Sequence, residues 1–235
     1  LEIDASAETL LLEDDKDLAF TRKVNERYGS SDFLVLTYSP KGDLLADNTL
    51  NSLRKLSAEL LALDRVESVD SILNVPLLES PPKPVSELIK NVPTLESPGI
   101  DKALAKKEFL NSPIYRDNLV SPDFKTTALL INLHDDPLYR ELLQQRNALR
   151  KKEKEQSLSS VEQLELEKVL RDFKNHRDKM RLIEHKNIAK VRAIADNYRG
   201  EAKIFLGGAS MVADDLITFI RSDLQVFGSA VFVFL

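Results

Sequence analysis

The chain has 235 residues with a hydrophobic fraction of 43% and a charged fraction of 30%, enough for one large domain or two small ones and ordinary for a folded body. Its net charge of -5 gives no general attraction to nucleic acid, and the absence of cysteine excludes disulfides and cysteine-based zinc sites. Seven glycines occur and none forms a phosphate-binding loop, so no nucleotide or other cofactor is expected.

Residues 1–16 alternate apolar and acidic character and are expected to be extended or irregular. Asp17 to Tyr28 reads as a helix with Phe20, Val24 and Tyr28 on one face and Gly29 as its stop. Phe33–Ser39 (FLVLTYS) is β-branched and aromatic, a first strand closed by the turn Pro40-Lys41-Gly42-Asp43. Asn48 is expected to cap a helix running to about Leu63, with Leu50, Leu53, Leu56 and Leu60 as its apolar stripe. Val66 to Val75 reads as a second strand with an irregular end. Pro76 to Asp123 holds eight of the ten prolines and two short helical patterns, Val85–Asn91 and Asp101–Leu110. Apolar residues recur through it, so it reads as a loop-rich insertion. Lys125–Leu133 (KTTALLINL) is a third strand with Thr127, Leu129, Ile131 and Leu133 on one face.

Pro137 to Arg199 is the stretch around which the rest is arranged. A first helical arm runs from about Leu138 to Gln156, its stripe Leu138, Leu142, Gln145 and Leu149. The tip Ser157-Leu158-Ser159-Ser160 supplies a serine cap for a second arm, which continues without Pro or Gly to Tyr198. The second arm is roughly 58 Å long against roughly 29 Å for the first. Folding back at the tip opposes Leu149 to Leu166, Val169 and Leu170, Leu142 to Phe173, and Leu138 to Met180. Ile188, Val191, Ile194, Ala195 and Tyr198 have no first-arm partner and must bury themselves on a sheet. Lys203–Leu206 is a short fourth strand. From Ser210 the pattern is helical, with Ala213, Leu216, Ile217, Ile220, Leu224 and Phe227 as its stripe and Asp214, Asp215, Arg221 and Asp223 opposite. No charged residue follows Asp223.

The fold class expected from this order is α+β: a ferredoxin-like β-α-β-β-α-β core with a long inserted helical hairpin, a coiled coil. The division is residues 1–135 and 186–209 for the α/β core (76–124 its insertion), 136–185 for the projecting hairpin, and 210–235 for an amphipathic helix leading into a truncated transmembrane helix. The start at Leu1 rather than Met marks the chain as an expected fragment.

The chemistry-bearing residues point away from catalysis. His134-Asp135-Asp136 reads as a strand end and helix cap before it reads as metal ligands. His176 and His185 stand nine apart and are not neighbouring ligands. Asp14-Asp15 and Asp214-Asp215 are adjacent pairs that diverge on a helix and have no nucleophile with them; solvated or capping roles are expected. The serines show no nucleophile elbow, so a hydrolase is the weakest reading. Within the insertion, Phe109, Ile114 and Tyr115 either pack on the sheet or line a path for a lipid-like molecule. The hairpin surface is densely charged, and its tip residue Leu158 is a candidate docking point for a partner.

Three stretches carry a family resemblance. LEIDASAETLLLEDD followed by VNERYGSSDFLVLTYSP resembles the segment after the first transmembrane helix of RND-superfamily exporters, in the MMPL-like, hydrophobe-exporting branch. YRDNLVSPDFKTTALLINL and IFLGGASMVADDLITFIRSDLQVFG, the latter where the second transmembrane helix would begin, fit the same pattern in the same order. The resemblance implies a first periplasmic porter loop of a proton-driven exporter in a bacterial inner membrane, not an enzyme. The proton-relay acids of that family sit in transmembrane helices outside this chain, so none is assigned here. The implied partners are a hydrophobic or lipid-like substrate, the membrane through the rest of the parent chain, and a homo-oligomer or periplasmic partner. The alternative from a different class is a protein-interaction module that docks through the hairpin.

Overall fold

The computed structural model describes residue 20, residues 32–81 and residues 92–234. The readings of residues 1–16, Asp17–Tyr28 and Val85–Asn91 therefore lie outside the described residues, Phe20 apart. Four strands form one sheet: β1 (Phe33–Pro40), β2 (Val66–Asp70), β3 (Thr127–Leu133) and β4 (Ala202–Gly207). Their order is β2-β3-β1-β4, and every neighbouring pair is antiparallel.

The period-2 pattern decides which face is buried. Thr127, Leu129, Ile131 and Leu133 of β3 are all buried, as their alternation predicts, and Leu34, Leu36 and Tyr38 of β1 lie on the same side. The register sets Leu34 opposite Ile131, Leu36 opposite Leu129, and Tyr38 opposite both Thr127 and Ile204. Helix α1 (Asp47–Leu61) lays Leu50, Leu53, Leu56 and Leu60 on this face. The opposite face carries the exposed rings of Phe33 and Phe205.

The structure corrects two boundaries. The second strand ends at Asp70 rather than Val75, because side chains take over the backbone bonds there. Asn74 accepts from the Ser71 amide and donates to the Val69 carbonyl, and the Ser71 hydroxyl accepts from the Leu73 amide. Asn48 is not the cap of α1. The capping position is Ala46, without a side-chain bond, and the approach is held by Asp43, whose carbonyl accepts from Ala46 and from the Thr49 hydroxyl.

The insertion packs into the same core. It contributes Leu77, Leu95, Leu119, Val120 and Phe124, together with Ala105 and Phe109 of helix α2 (Lys102–Asn111), which Asp101 caps. Buried Glu108 holds the loop before it by accepting from the amides of Leu78 and Glu79 at 2.6 and 3.0 Å.

The hairpin consists of α3 (Pro137–Glu155) and α4 (Ser160–Asn197), antiparallel along their shared length. Asp136 caps α3 by accepting from the Tyr139 amide, and Pro137 fits the first turn because no intrahelical donor is needed there. Ser159 and Glu162 form a reciprocal capping box at the start of α4. Leu142 meets α4 across the buried Leu166, Val169 and Phe173. The first-arm stripe is rotated from the expected one. Gln145 is exposed and Leu138 is 46% exposed, while Tyr139 lies 5.2 Å from the Phe173 ring and Arg146 stacks over it at 4.5 Å. Beyond α3, the end of α4 returns to the sheet through Ile188, Val191, Ala195 and Tyr198, as their unpartnered stripe requires.

After β4 the chain turns into α5 (Ala209–Phe234) through Gly208, at φ 141°. A Cβ there would stand 2.9 Å from the Phe33 carbonyl oxygen, so glycine alone fits. The stripe expected on α5 is only partly covered: Ala213, Ile217 and Ile220 are half-buried, but Leu216 and Phe227 are exposed. Among the described residues no helix is long and apolar enough to cross a membrane.

Candidate functional site at the base of the hairpin

Three chain segments meet where α4 crosses from the hairpin to the sheet. The lead into β1 brings Asp32, whose carbonyl accepts from the Leu133 amide. The lead into β2 brings Arg65, whose carbonyl accepts from the His134 amide. The end of β3 then runs directly into the α3 cap, Asp136. Sheet pairing thus delivers two carboxylates and a guanidinium to one end of the sheet, and α4 lies across it with His176 and Glu184.

The contacts are specific. Arg65 donates from Nε and Nη2 to Glu184 Oε1, at 3.0 and 2.6 Å. The second oxygen, Glu184 Oε2, is buried without a hydrogen-bond partner. His176 Nε2 sits 2.9 and 2.8 Å from the two oxygens of Asp136. An ionised carboxylate only accepts, so this ring nitrogen carries the proton. Three acids thus face one guanidinium and one imidazole. Burial pushes the Glu184 carboxyl above its ordinary range; Arg65 opposes this, and the charges of Asp32 and Asp136 reinforce it. Burial raises the Asp32 carboxyl too, again opposed by Arg65.

A second set of pairs joins α4 to α5. His185 Nδ1 lies 2.9 Å from Asp214, and Arg192 donates to both oxygens of Asp215 at 2.9 and 2.8 Å. The adjacent acids Asp214 and Asp215 do diverge, but each reaches a base on α4 instead of standing in solvent or capping a helix.

The residues singled out in the sequence fall elsewhere. Phe109 is fully buried, stacked edge-on against Tyr115 at 5.5 Å and near Phe124 at 6.3 Å. The Tyr115 hydroxyl donates to the Pro76 carbonyl, and Ile114 is 68% exposed. Phe109 and Tyr115 therefore pack within the insertion, and Ile114 stands at the surface. Leu158 is 8% exposed and closes the inside of the hairpin tip; the exposed apolar residues beside it are Val161 and Leu164. His134 is exposed, and among the described residues no group of three His, Asp or Glu side chains could hold a metal ion. An open groove of about 390 Å³, lined by Leu138, Leu142, Asp172, Asn175, His176 and Lys179, flanks the base cluster.

Asp136 and His176 were visible in the sequence as a cap and a hairpin residue, but not as partners. Asp32, Arg65 and Glu184 carry no local motif; strand pairing brings the first two to one end of the sheet and the packing of α4 brings the third.

Comparison with protein-family models finds no match for this chain, and comparison with curated proteins finds none either.

Proposed function

We propose that this chain is a periplasmic porter domain of a proton-driven RND-type exporter of hydrophobic or lipid-like molecules, of the MMPL-like branch, seated on a bacterial inner membrane. The observation that carries the reading is the strand order β2-β3-β1-β4 with all neighbours antiparallel. With α1 and the end of α4 on one face, this order supports a ferredoxin-like split βαβ core into which the hairpin is inserted between β3 and β4. The described parts of the three resembling stretches, residues 32–40, 115–133 and 204–228, carry β1, β3 and the passage from β4 into α5 in that order. The passage of α5 from charged residues up to Asp223 into an uncharged apolar run supports a path toward a bilayer. In this reading the domain contributes part of the substrate path and moves as the membrane part cycles.

The test is made on the full parent chain in intact cells. A single cysteine replacing exposed Lys151 on α3 is treated with a membrane-impermeant maleimide. Labelling before lysis, in a chain that fractionates with the inner membrane, is the expected outcome. Labelling only after lysis, or a parent chain without apolar spans flanking this region, overturns the reading.

A second reading, a module that docks a partner or another protomer through the hairpin, is favoured by Val161 and Leu164. They are 75% and 67% exposed, one helical turn apart at the tip. Val161→Ser with Leu164→Ser separates the two: loss of a complex with lipid binding retained favours docking, and an unchanged complex removes it.

A further inference from the structure

Helix α4 has two apolar anchors and a polar interval between them. Its last residue buried against α3 is Phe173, and its first apolar residue buried on the sheet is Ile188. From Lys174 to Lys186, about 20 Å of helix, no residue is buried, and the next one, Asn187, is a buried amide whose Nδ2 has no hydrogen-bond partner. The hold of the sheet on this interval is therefore polar, and it is the base cluster that supplies it.

Several charged groups around the interval have a defined place, while Lys174, Lys179, Arg181 and Lys186 add positive charge along α4 itself. Arg65 comes from the lead into β2, Asp32 from the lead into β1, and Asp136 from the α3 cap, where it also receives His176. Asp135 is occupied by Arg140, Asp178 by Arg177, Asp214 by His185 and Asp215 by Arg192. Among the described residues of the cluster, three carboxylates, Asp32, Asp136 and Glu184, face Arg65 and His176.

We propose that this joint is a proton-responsive hinge, in which one proton taken from solvent by the Asp32–Asp136–Glu184 group tightens the attachment of the hairpin to the sheet. Glu184 is the acceptor: Oε1 stays on Arg65 while Oε2 takes the proton, removing one negative charge from a group that holds three. A carboxyl whose ordinary range lies below its range in the closed joint binds more protons closed than open. The joint is then more stable as pH falls through that window and less stable as pH rises. The direction found for Glu184 and for Asp32 agrees with this geometry.

Hydrogen exchange on the 235-residue chain tests it. After correction for intrinsic rates, amides of residues 177–187 are expected to exchange more slowly at about pH 5 than at about pH 8, the direction set by a carboxyl raised in the closed joint. Amides of β3 serve as the internal reference and keep a constant ratio. Glu184→Gln removes the charge at every pH, so the protection at high pH rises to that of the wild type at low pH and the ratio falls to about one. Asp32→Asn reduces the ratio and keeps the test open should Glu184→Gln perturb folding. A ratio that is pH-independent in the wild type, that survives both substitutions, or that vanishes only in His176→Gln overturns the proposal.

Discussion

The two halves of α4 belong to one uninterrupted helix, yet they are buried in different ways. The half near the sheet sets Ile188, Val191 and Ala195 into a core shared with all four strands, α1 and the insertion. Among the described residues, the half toward the tip leans on α3 through Leu166, Val169 and Phe173. A helix continuous in its hydrogen bonds can thus be discontinuous in its stability, since each half gains only from what it touches.

The largest expected effect breaks the comparison from the sheet side. Val191→Asp places an unpaired carboxylate in the shared core, at a cost of several kcal/mol against a total stability of about 5–15 kcal/mol. Loss of any cooperative thermal transition is expected, with hairpin and sheet unfolding together. Phe173→Ala acts on the other half. It removes the ring that Tyr139 and Arg146 cover and is expected to cost about 3 kcal/mol. Most helical stability in a protein comes from tertiary packing rather than propensity, so the loss should appear as rapid amide exchange in α3 and the first turns of α4, with β3 protection unchanged. Equal loss of protection in β3 would show that the halves are not independent.

How much of this could be read from the sequence follows from the reach of each signal. The strands were legible where alternation is strict, as in β3, and the hairpin was legible because a long stretch without Pro or Gly is bounded by Ser159 and Gly200. The rotated stripe on α3 was missed because Leu138 and Gln145 match the apolar period as well as Tyr139 and Arg146 do. The choice was made by Phe173, whose ring is covered by an aromatic side chain and a guanidinium. The end of β2 was misread because Val75 looks like strand, whereas Ser71 and Asn74 had already redirected the backbone. Phe109 and Tyr115 attracted attention as apolar residues in a loop-rich segment, but the insertion has its own core to fill. The base cluster was not legible: positions 32, 65, 136, 176 and 184 share no spacing, and their meeting depends on strand pairing. The pairing of Asp214 and Asp215 with α4 was hidden for the same reason.

A smaller effect sharpens the comparison at the far end. Ser159→Ala removes the hydroxyl that accepts from the Glu162 amide and should cost about 1 kcal/mol, confined to the tip. Faster exchange of the first amides of α4, with the base unaffected, is the expected result. Ser159→Asp keeps an accepting oxygen and should restore most of the protection.

The smallest effect sets the two ends of α4 against each other by pH. At the tip, Lys152 donates to Glu162, and the Ser159 amide and hydroxyl add two further bonds, which together hold the Glu162 carboxyl down at about 2. Its contribution is therefore present above the ordinary carboxylate range and is lost as pH falls from about 4.5 toward about 2. Glu184 at the base is shifted the opposite way. Acid should accordingly loosen the tip under conditions in which the base remains tight, and the tip effect should shrink in high salt because its charges stand at the surface. Glu162→Gln is expected to abolish the acid-dependent exchange of residues 159–163 and leave that of residues 177–187 as it was. If one substitution moved both segments, α4 would be transmitting charge along its length, and the polar interval would be a conduit rather than a boundary.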